Sequence, residues 1–268
     1  MPRDSFLGDL EWCLHAPTLL SHSLPFAVDQ HWKKQWQTAL TQHLNTATSA
    51  EPNSRLGLYF EQLWRSLIAL HPDWHMLADN VAIQQNGKTL GAIDFLVINH
   101  RLQQIEHWEL AVKFYLAKND CPQASDYVGP NQHDQLSNKL SKLILKQIPL
   151  GRHPNIQALC NRYPNYHFKQ RILLSGYLFA LGRPEHVEPQ HLHWYSQSQW
   201  QAMHQSNWYA LSKQQWLNPQ GYSLNKWQNN IPLTRGPIQL YLPKQNQQAP
   251  RRIFICPDDW LIRANAVE

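Results

Sequence analysis

Residues 80–99 read NVAIQQNGKTLGAIDFLVIN, and the change of period they bring decides the fold. Two β-type runs flank Asn86-Gly87, the dipeptide best suited to the two positive-φ positions of a tight hairpin turn. A third run, QIEHWELAVKFYLA at 104–117, follows a few residues later, so a meander of three antiparallel strands is the economical arrangement. Two of the charged residues in these strands demand an explanation. Asp94 is the only charged residue between Gly91 and Ile98, and Glu109 repeats the anomaly on the next strand. Strand alternation puts Glu109, Ala111 and Lys113 on one face.

Working outward, the flanking segments change to a helical period. SRLGLYFEQLWRSLIALHP (54–72) carries Leu56, Phe60, Leu63, Leu67 and Leu70 at helical spacing, with Ser54 as the expected cap and His71-Pro72 as the stop. Before it, DLEWCLHAPTLLS (9–21) predicts a short helix and QHWKKQWQTALTQHL (30–44) a second, followed by the polar loop NTATSAEPNS (45–54). After the strands, NDCPQASDYVGPN (119–131) reads as a loop. QHDQLSNKLSKLILKQIPL (132–150) is an amphipathic helix, with Leu136, Leu140, Leu143 and Ile144 inward and Gln135, Asn138, Lys139, Lys142 and Lys146 outward. QRILLSGYLFAL (170–181) is apolar on both faces, as a central or parallel strand is. The order is helix, three strands, helix, strand: an α/β (α+β) chain with a mixed central sheet and N-terminal helices.

Composition bounds the function classes. No apolar run approaches the roughly 18 residues of a membrane span, and MPRDSFLGDLEWCL lacks the basic-then-apolar order of a signal peptide, so the expectation is a cytoplasmic chain with no membrane partner. Cys13, Cys121, Cys160 and Cys256 are scattered without a C-x-x-C pair, which signals reduced thiols and not a zinc knuckle or a disulfide framework. Net charge is +5 and unevenly placed: Lys and Arg against Asp and Glu are 6 to 9 over residues 1–100, 10 to 5 over 101–180 and 8 to 5 over the remainder. A basic balance favours polyanionic partners such as nucleic acid.

The chemistry of the buried acids gives that preference a site. A lone carboxylate in a core strand costs several kcal/mol unless it is paired or holds a metal. Two carboxylates on neighbouring strands with a lysine on one of their faces are what a Mg2+- or Mn2+-dependent phosphodiester hydrolase needs. The acids hold a hard cation, the cation activates water and neutralises phosphoryl charge, and the ammonium orients the nucleophile or stabilises the transition state. Glu61, on the preceding helix, is a further candidate ligand or acts through water. Each residue also has a purely structural account. Asp94 would cap a backbone group, Glu109 and Lys113 would form an ion pair on one face, Glu61 would sit on a polar helix face, and Lys139, Lys142 and Lys146 would be a solvated stripe.

DLEWCLHAPTLL, LGLYFEQLW, GAIDFL, HWELAVKFYL, GPNQHDQLSNKL and WYALSKQQWLNP together resemble the successive blocks of an uncharacterised bacterial family of unknown function placed in the PD-(D/E)XK nuclease superfamily. The resemblance spans most of the chain and implies a restriction-endonuclease-like αβββαβ core over 54–183. The helical segment 1–53 then packs on that core, and the Trp-rich extension 184–268 belongs to the same domain. It further implies Asp94 as the metal-binding acid of the second strand, Glu109 as that of the third and Glu61 as the helix acid. The lysine departs from the pattern: the motif position holds Ala111, and Lys113 lies two residues on, putting its Cα roughly 13 Å from that of Glu109 instead of roughly 7 Å. A folded-back side chain, a β-bulge, or Lys139 from the following helix would repair this.

The extension places Trp194, Trp200, Trp208 and Trp216 among His and Gln. Such rings stack on single-stranded bases in some proteins and fill small cores in others. GPIQLYLPK (236–244) and RRIFICPDDW (251–260) read as two further strands, and His191 and His193 alternate without a third zinc ligand nearby. Three classes stay open: a metal-dependent nuclease, a nuclease fold that binds DNA or RNA without cutting it, and a protein-interaction module using the Trp-rich tail. A dimer is compatible with all three.

Overall fold

The protein is described by a computed structural model covering residues 3–266 except 22, 50, 184–189, 230–231, 234–235 and 245–247. The start of the expected C-terminal extension, 184–189, therefore lies outside the described residues. In chain order the elements are α1 Arg3–His15, α2 Gln30–Leu40, α3 Leu56–Leu70, β1 Trp74–Gln85, β2 Lys88–Asn99, β3 Gln104–Ala117 and β4 Tyr127–Val128. Next come α4 Leu136–Lys142, a π-helical turn Leu143–Gln147, α5 Ile148–Leu150, α6 Pro154–Cys160 and β5 His167–Leu181. The chain continues as β6 His193–Ser196, α7 Gln197–Ala202, β7 Tyr209–Leu211, β8 Asn225–Lys226, β9 Ile238–Leu242, β10 Arg251–Cys256 and α8 Trp260–Ala266.

This mixed α/β chain divides into two compact units, residues 1–112 with 140–176, and residues 113–139 with 177–268; β3, α4 and β5 each contribute to both. The first unit orders its strands β1-β2-β3-β5. Asn86 and Gly87 turn the β1–β2 hairpin at φ 50° and 75°, the left-handed conformations that a primed turn requires. β1 starts at Trp74, well before the run expected from sequence, and bulges at Met76/Ala78 and Ile83/Gln84 bend it. The β2–β3 ladder is antiparallel from Asn99↔Gln104 to Phe95↔Trp108. β5 begins beside β3, where His167 N donates to Gln103 O at 2.8 Å.

Alternation along β3 assigns its two faces. Trp108 meets Trp32 and Trp36 of α2, Trp64 of α3 and Trp74 of β1 at centroid separations of 5.2–6.2 Å, so the N-terminal helices are held by a nest of indoles. Asp29 caps α2 through Trp32 N. The opposite face buries Leu96, Ile98 and Ile105 against Ile156 and Cys160 of α6. Ser54 does not cap α3; the N-cap is Arg55 without a side-chain bond, and Asn53 Oδ1 accepts from Arg55 N instead. Leu136 and Leu143 are buried as expected, whereas Leu140 and Ile144 are half-buried and so is Lys139.

The second unit orders its strands β5-β6-β10-β9-β7-β8, with β4 on the end of β3. β5–β6 and β6–β10 are parallel and the rest antiparallel, so β5 does lie inside a mixed sheet and the two late strands form as read. Trp194, Trp200, Trp208 and Trp216 are all buried: Trp200 packs edge-on to Trp208, Trp216 to Phe254, and Trp194 Nε1 donates to Ala117 O. These indoles fill a core. All four cysteines are free thiols, Cys121 alone exposed. Among the described residues no helix is long and apolar enough to cross a membrane.

Candidate functional site

Asp94 sits where pairing lapses. The β2–β3 ladder stops at Phe95↔Trp108, so the next opposed pair would be Asp94 and Glu109. There the Asp94 side chain enters the ladder itself, Oδ2 accepting from Leu110 N at 2.7 Å. On the other side, Asn80 stands between the pairs Asp79↔Phe95 and Val81↔Ile93 with φ 46°, a left-handed conformation that Asn tolerates. The capping role weighed for Asp94 is thus real, and the register places Asp94 opposite Glu109.

Glu109 and His107 lie two residues apart on one face, and both are fully buried. Gln170 Nε2 donates to Ile148 O and stands 3.1 Å from His107 Nδ1, which therefore accepts. The proton is left on Nε2, which donates to Glu109 Oε1 at 2.7 Å. Burial holds the His107 pKa down to about 4, against a small upward pull from Asp94, so the ring is neutral at pH 7. Gln147, at the end of the π-helical turn, donates to Glu109 Oε2 at 2.5 Å. Two neutral donors from two elements thereby fix the carboxylate, as outer partners fix a metal ligand.

Glu61 completes the acidic group from α3. Burial first, then the charge of Asp94, raise its pKa above the ordinary carboxylate value, while Arg65, 3.4 Å away, lowers it. Arg65 is shared: its Nε binds Asp79 at 2.7 Å and it lies over the Phe95 ring. Of the residues singled out by sequence, the first unit sets Asp94 opposite Glu109 and within electrostatic reach of Glu61. Lys113 is engaged within the second unit, donating to Asp134 Oδ2 at 2.5 Å. Lys142 and Lys146 are exposed and Lys139 is half-buried.

Among the described residues no three or more His, Cys, Asp or Glu side chains stand together at metal-holding distance. Mg2+ seldom asks for that: one or two carboxylates, several waters and substrate phosphate are its usual shell. Each carboxylate oxygen has two acceptor sites, so one hydrogen bond leaves room for a cation. Asp94 and Glu109 would offer such an ion oxygen ligands alone, with Glu61 within electrostatic reach of Asp94.

His107, Gln147, Gln170, Glu106 and Arg171 were not singled out by sequence reasoning. His107 and Glu106 carried a signal, since IEHWEL places three ionisable residues in a strand that is otherwise apolar. Glu106 faces the other way from Glu109 and is also fully buried, accepting from Gln104, from Trp108 Nε1 at 2.7 Å and from Arg171 Nε at 2.7 Å.

A model of a domain of unknown function, DUF1853, matches residues 8–256. The chain belongs to the DUF1853 family. No curated protein and no solved structure matches it. Membership in DUF1853 covers both compact units, including Glu61, Asp94, His107 and Glu109.

Proposed function

We propose that this chain is a metal-dependent nuclease, hydrolysing phosphodiester bonds in DNA or RNA with Mg2+ or Mn2+ held by Asp94 and Glu109. One observation carries the reading. The register sets Asp94 of β2 opposite Glu109 of β3 where their ladder ends, and Asp94 lies near enough to Glu61 of α3 for its charge to raise the Glu61 pKa. The order helix, three strands, helices, strand supports the finer assignment to a restriction-endonuclease-like core.

The chain's own residues have separable tasks. Leu110 N–H aims Asp94, and His107 with Gln147 aims Glu109. Glu61 supplies a further ligand or holds a water. A cation bound there would lower the pKa of water and offset charge on the phosphoryl oxygens. The exposed Lys142 and Lys146 suit the phosphate backbone, with Lys139 on the same helix.

The test is cleavage of a mixed DNA and RNA panel by the full chain with Mg2+ or Mn2+, alongside calorimetric Mn2+ binding. Cleavage and Mn2+ binding both lost in Asp94→Asn and Glu109→Gln are expected; a wild-type chain that binds no Mn2+ overturns the reading. A second reading, nucleic-acid binding without cleavage, is favoured by the Lys113–Asp134 pair, which occupies the ammonium expected to serve catalysis. Mn2+ and nucleic acid both bound, with every substrate left intact, would establish it.

A further inference from the structure

The first unit carries a second feature, on the Trp108 face of β3 and away from the face that bears Glu109. A cavity of about 750 Å³ opens between α2, the start of β1, the β2–β3 connection and β5. That volume suits a small organic ligand and exceeds what a bare inorganic anion fills. Four cations line it, Lys34, Arg101, Lys169 and Arg171, against one carboxylate, Asp73, which Arg101 already engages at 2.6 Å.

Arg171 is the built part of this site. Buried Glu106 fixes its Nε, and the guanidinium lies 5.5 Å from the Trp32 ring centroid. Among the described residues its two terminal NH2 groups have no hydrogen-bond partner, so a planar two-donor fork is left pointing at no protein acceptor. A guanidinium ordered by a buried acid and a ring binds an anion without first losing side-chain freedom. Lys34 and Lys169 are exposed at the same rim and engage no acid among the described residues.

The floor of the cavity is formed by the edges of buried rings. Trp36 and His71 pack at 4.4 Å between centroids, with Trp74 beside Trp36. His71 Nδ1 accepts from Asp73 N and Trp74 N at 3.1 and 3.2 Å, which places its proton on Nε2. That N–H has no partner among the described residues, and it gives the floor one hydrogen-bond donor suited to a ring nitrogen or carbonyl.

We propose that this cavity binds a nucleoside phosphate, with the phosphate on Arg171, Lys34 and Lys169 and a polar edge of the base at the His71 Nε2–H. A free nucleotide and the phosphorylated end of a nucleic-acid strand share this chemistry. The proposal rests on none of the acidic residues near Asp94, and either reading can fail without the other.

The experiment uses the full chain with Asp94→Asn, without divalent cations, so that no substrate is consumed. Tryptophan fluorescence and calorimetry follow titration with the four nucleoside monophosphates, inorganic phosphate, and one oligonucleotide with and without a 5′-phosphate. Expected are saturable binding of a monophosphate or of the 5′-phosphorylated strand, phosphate alone weaker by about tenfold or more, and a further loss of about tenfold in Lys34→Gln/Lys169→Gln. Monophosphates binding as well as the strand identifies a free nucleotide; the phosphorylated strand alone binding identifies a strand end. Arg171→Lys keeps a cation on Glu106 but removes the fork, so it should weaken binding while the melting temperature stays near wild type. No binding of either ligand at millimolar concentration, affinity unchanged in the double lysine variant, or phosphate binding as tightly as nucleotide would each overturn the proposal.

Discussion

His71 ties pH to stability. Burial lowers its pKa to about 4, the charge of Asp73 opposing and nearby His75 and Arg101 adding to the shift. In the unfolded chain the group titrates near 6.5. Between those values the unfolded chain takes up a proton that the folded one refuses, so His71 costs nothing above about pH 6.5 and destabilises progressively toward pH 4. At pH 4.5 the loss is roughly 2–3 kcal/mol. Urea unfolding at pH 7 and 4.5 should show that much less acid loss in His71→Gln; equal losses would refute the assignment. Asp94 gives a second case, because its Oδ2 holds Leu110 N–H. Asp94→Ala should cost about 1–3 kcal/mol by orphaning that donor, whereas Asp94→Asn, which keeps an acceptor, should unfold near wild type. Similar thermal shifts for the two variants would mean that the hydrogen bond contributes little. Asp94 and Glu109 were legible because a charge inside an apolar strand demands a reason. Gln147 and Gln170 were not, because an amide in an amphipathic helix or at a strand start demands none, and only the fold brings it to Glu109 or His107.

The helical segment after β4 shows where sequence periodicity stops informing. Leu136, Leu140, Leu143 and Ile144 fit an ordinary helix, yet Leu143–Gln147 winds as a π-helix and leaves Leu145 71% exposed. The wider turn carries Gln147 onto Glu109, and such turns recur at functional sites. A period of 3.6 cannot reveal one inserted residue when its neighbours remain apolar. The β1–β2 hairpin was legible for the opposite reason: Asn86-Gly87 admits few alternatives to a primed turn. The start of β1 at Trp74 was not, since WHMLAD has no strict alternation. Gly151, at the end of α5, yields a prediction that sequence would not have prompted. A Cβ there would lie 2.4 Å from His107 Nδ1 and 2.6 Å from Gln170 Nε2, so only glycine lets α5 come this close to β3 and β5. Gly151→Ala should cost about 1–3 kcal/mol through forced repacking, and, if Asp94 and Glu109 hold Mn2+ as proposed, it should weaken that binding because His107 then releases Glu109. A variant matching wild type in both melting temperature and Mn2+ affinity would show that the close approach is dispensable.

The net charge of +5, with its largest excess over residues 101–180, bears on how the whole chain meets a polyanion. Binding through lysine–phosphate contacts releases counterions, so the logarithm of affinity falls linearly with the logarithm of salt concentration, by about 0.9 per phosphate neutralised on duplex DNA. Lys142 and Lys146 are exposed on one helical stretch, and their structural alternative is a solvated face worth little to stability. The two accounts separate without any assumption about cleavage. If these lysines touch phosphates, Lys142→Ala/Lys146→Ala should lower affinity for all sequences alike and reduce the magnitude of the salt slope by roughly 2, with the melting temperature unchanged. If they form only a solvated face, the slope measured from 50 to 200 mM salt by fluorescence anisotropy in Asp94→Asn should match that of the parent. A slope near zero in the parent itself would mean that the basic balance serves solubility, and nucleic acid would cease to be the partner that charge selects.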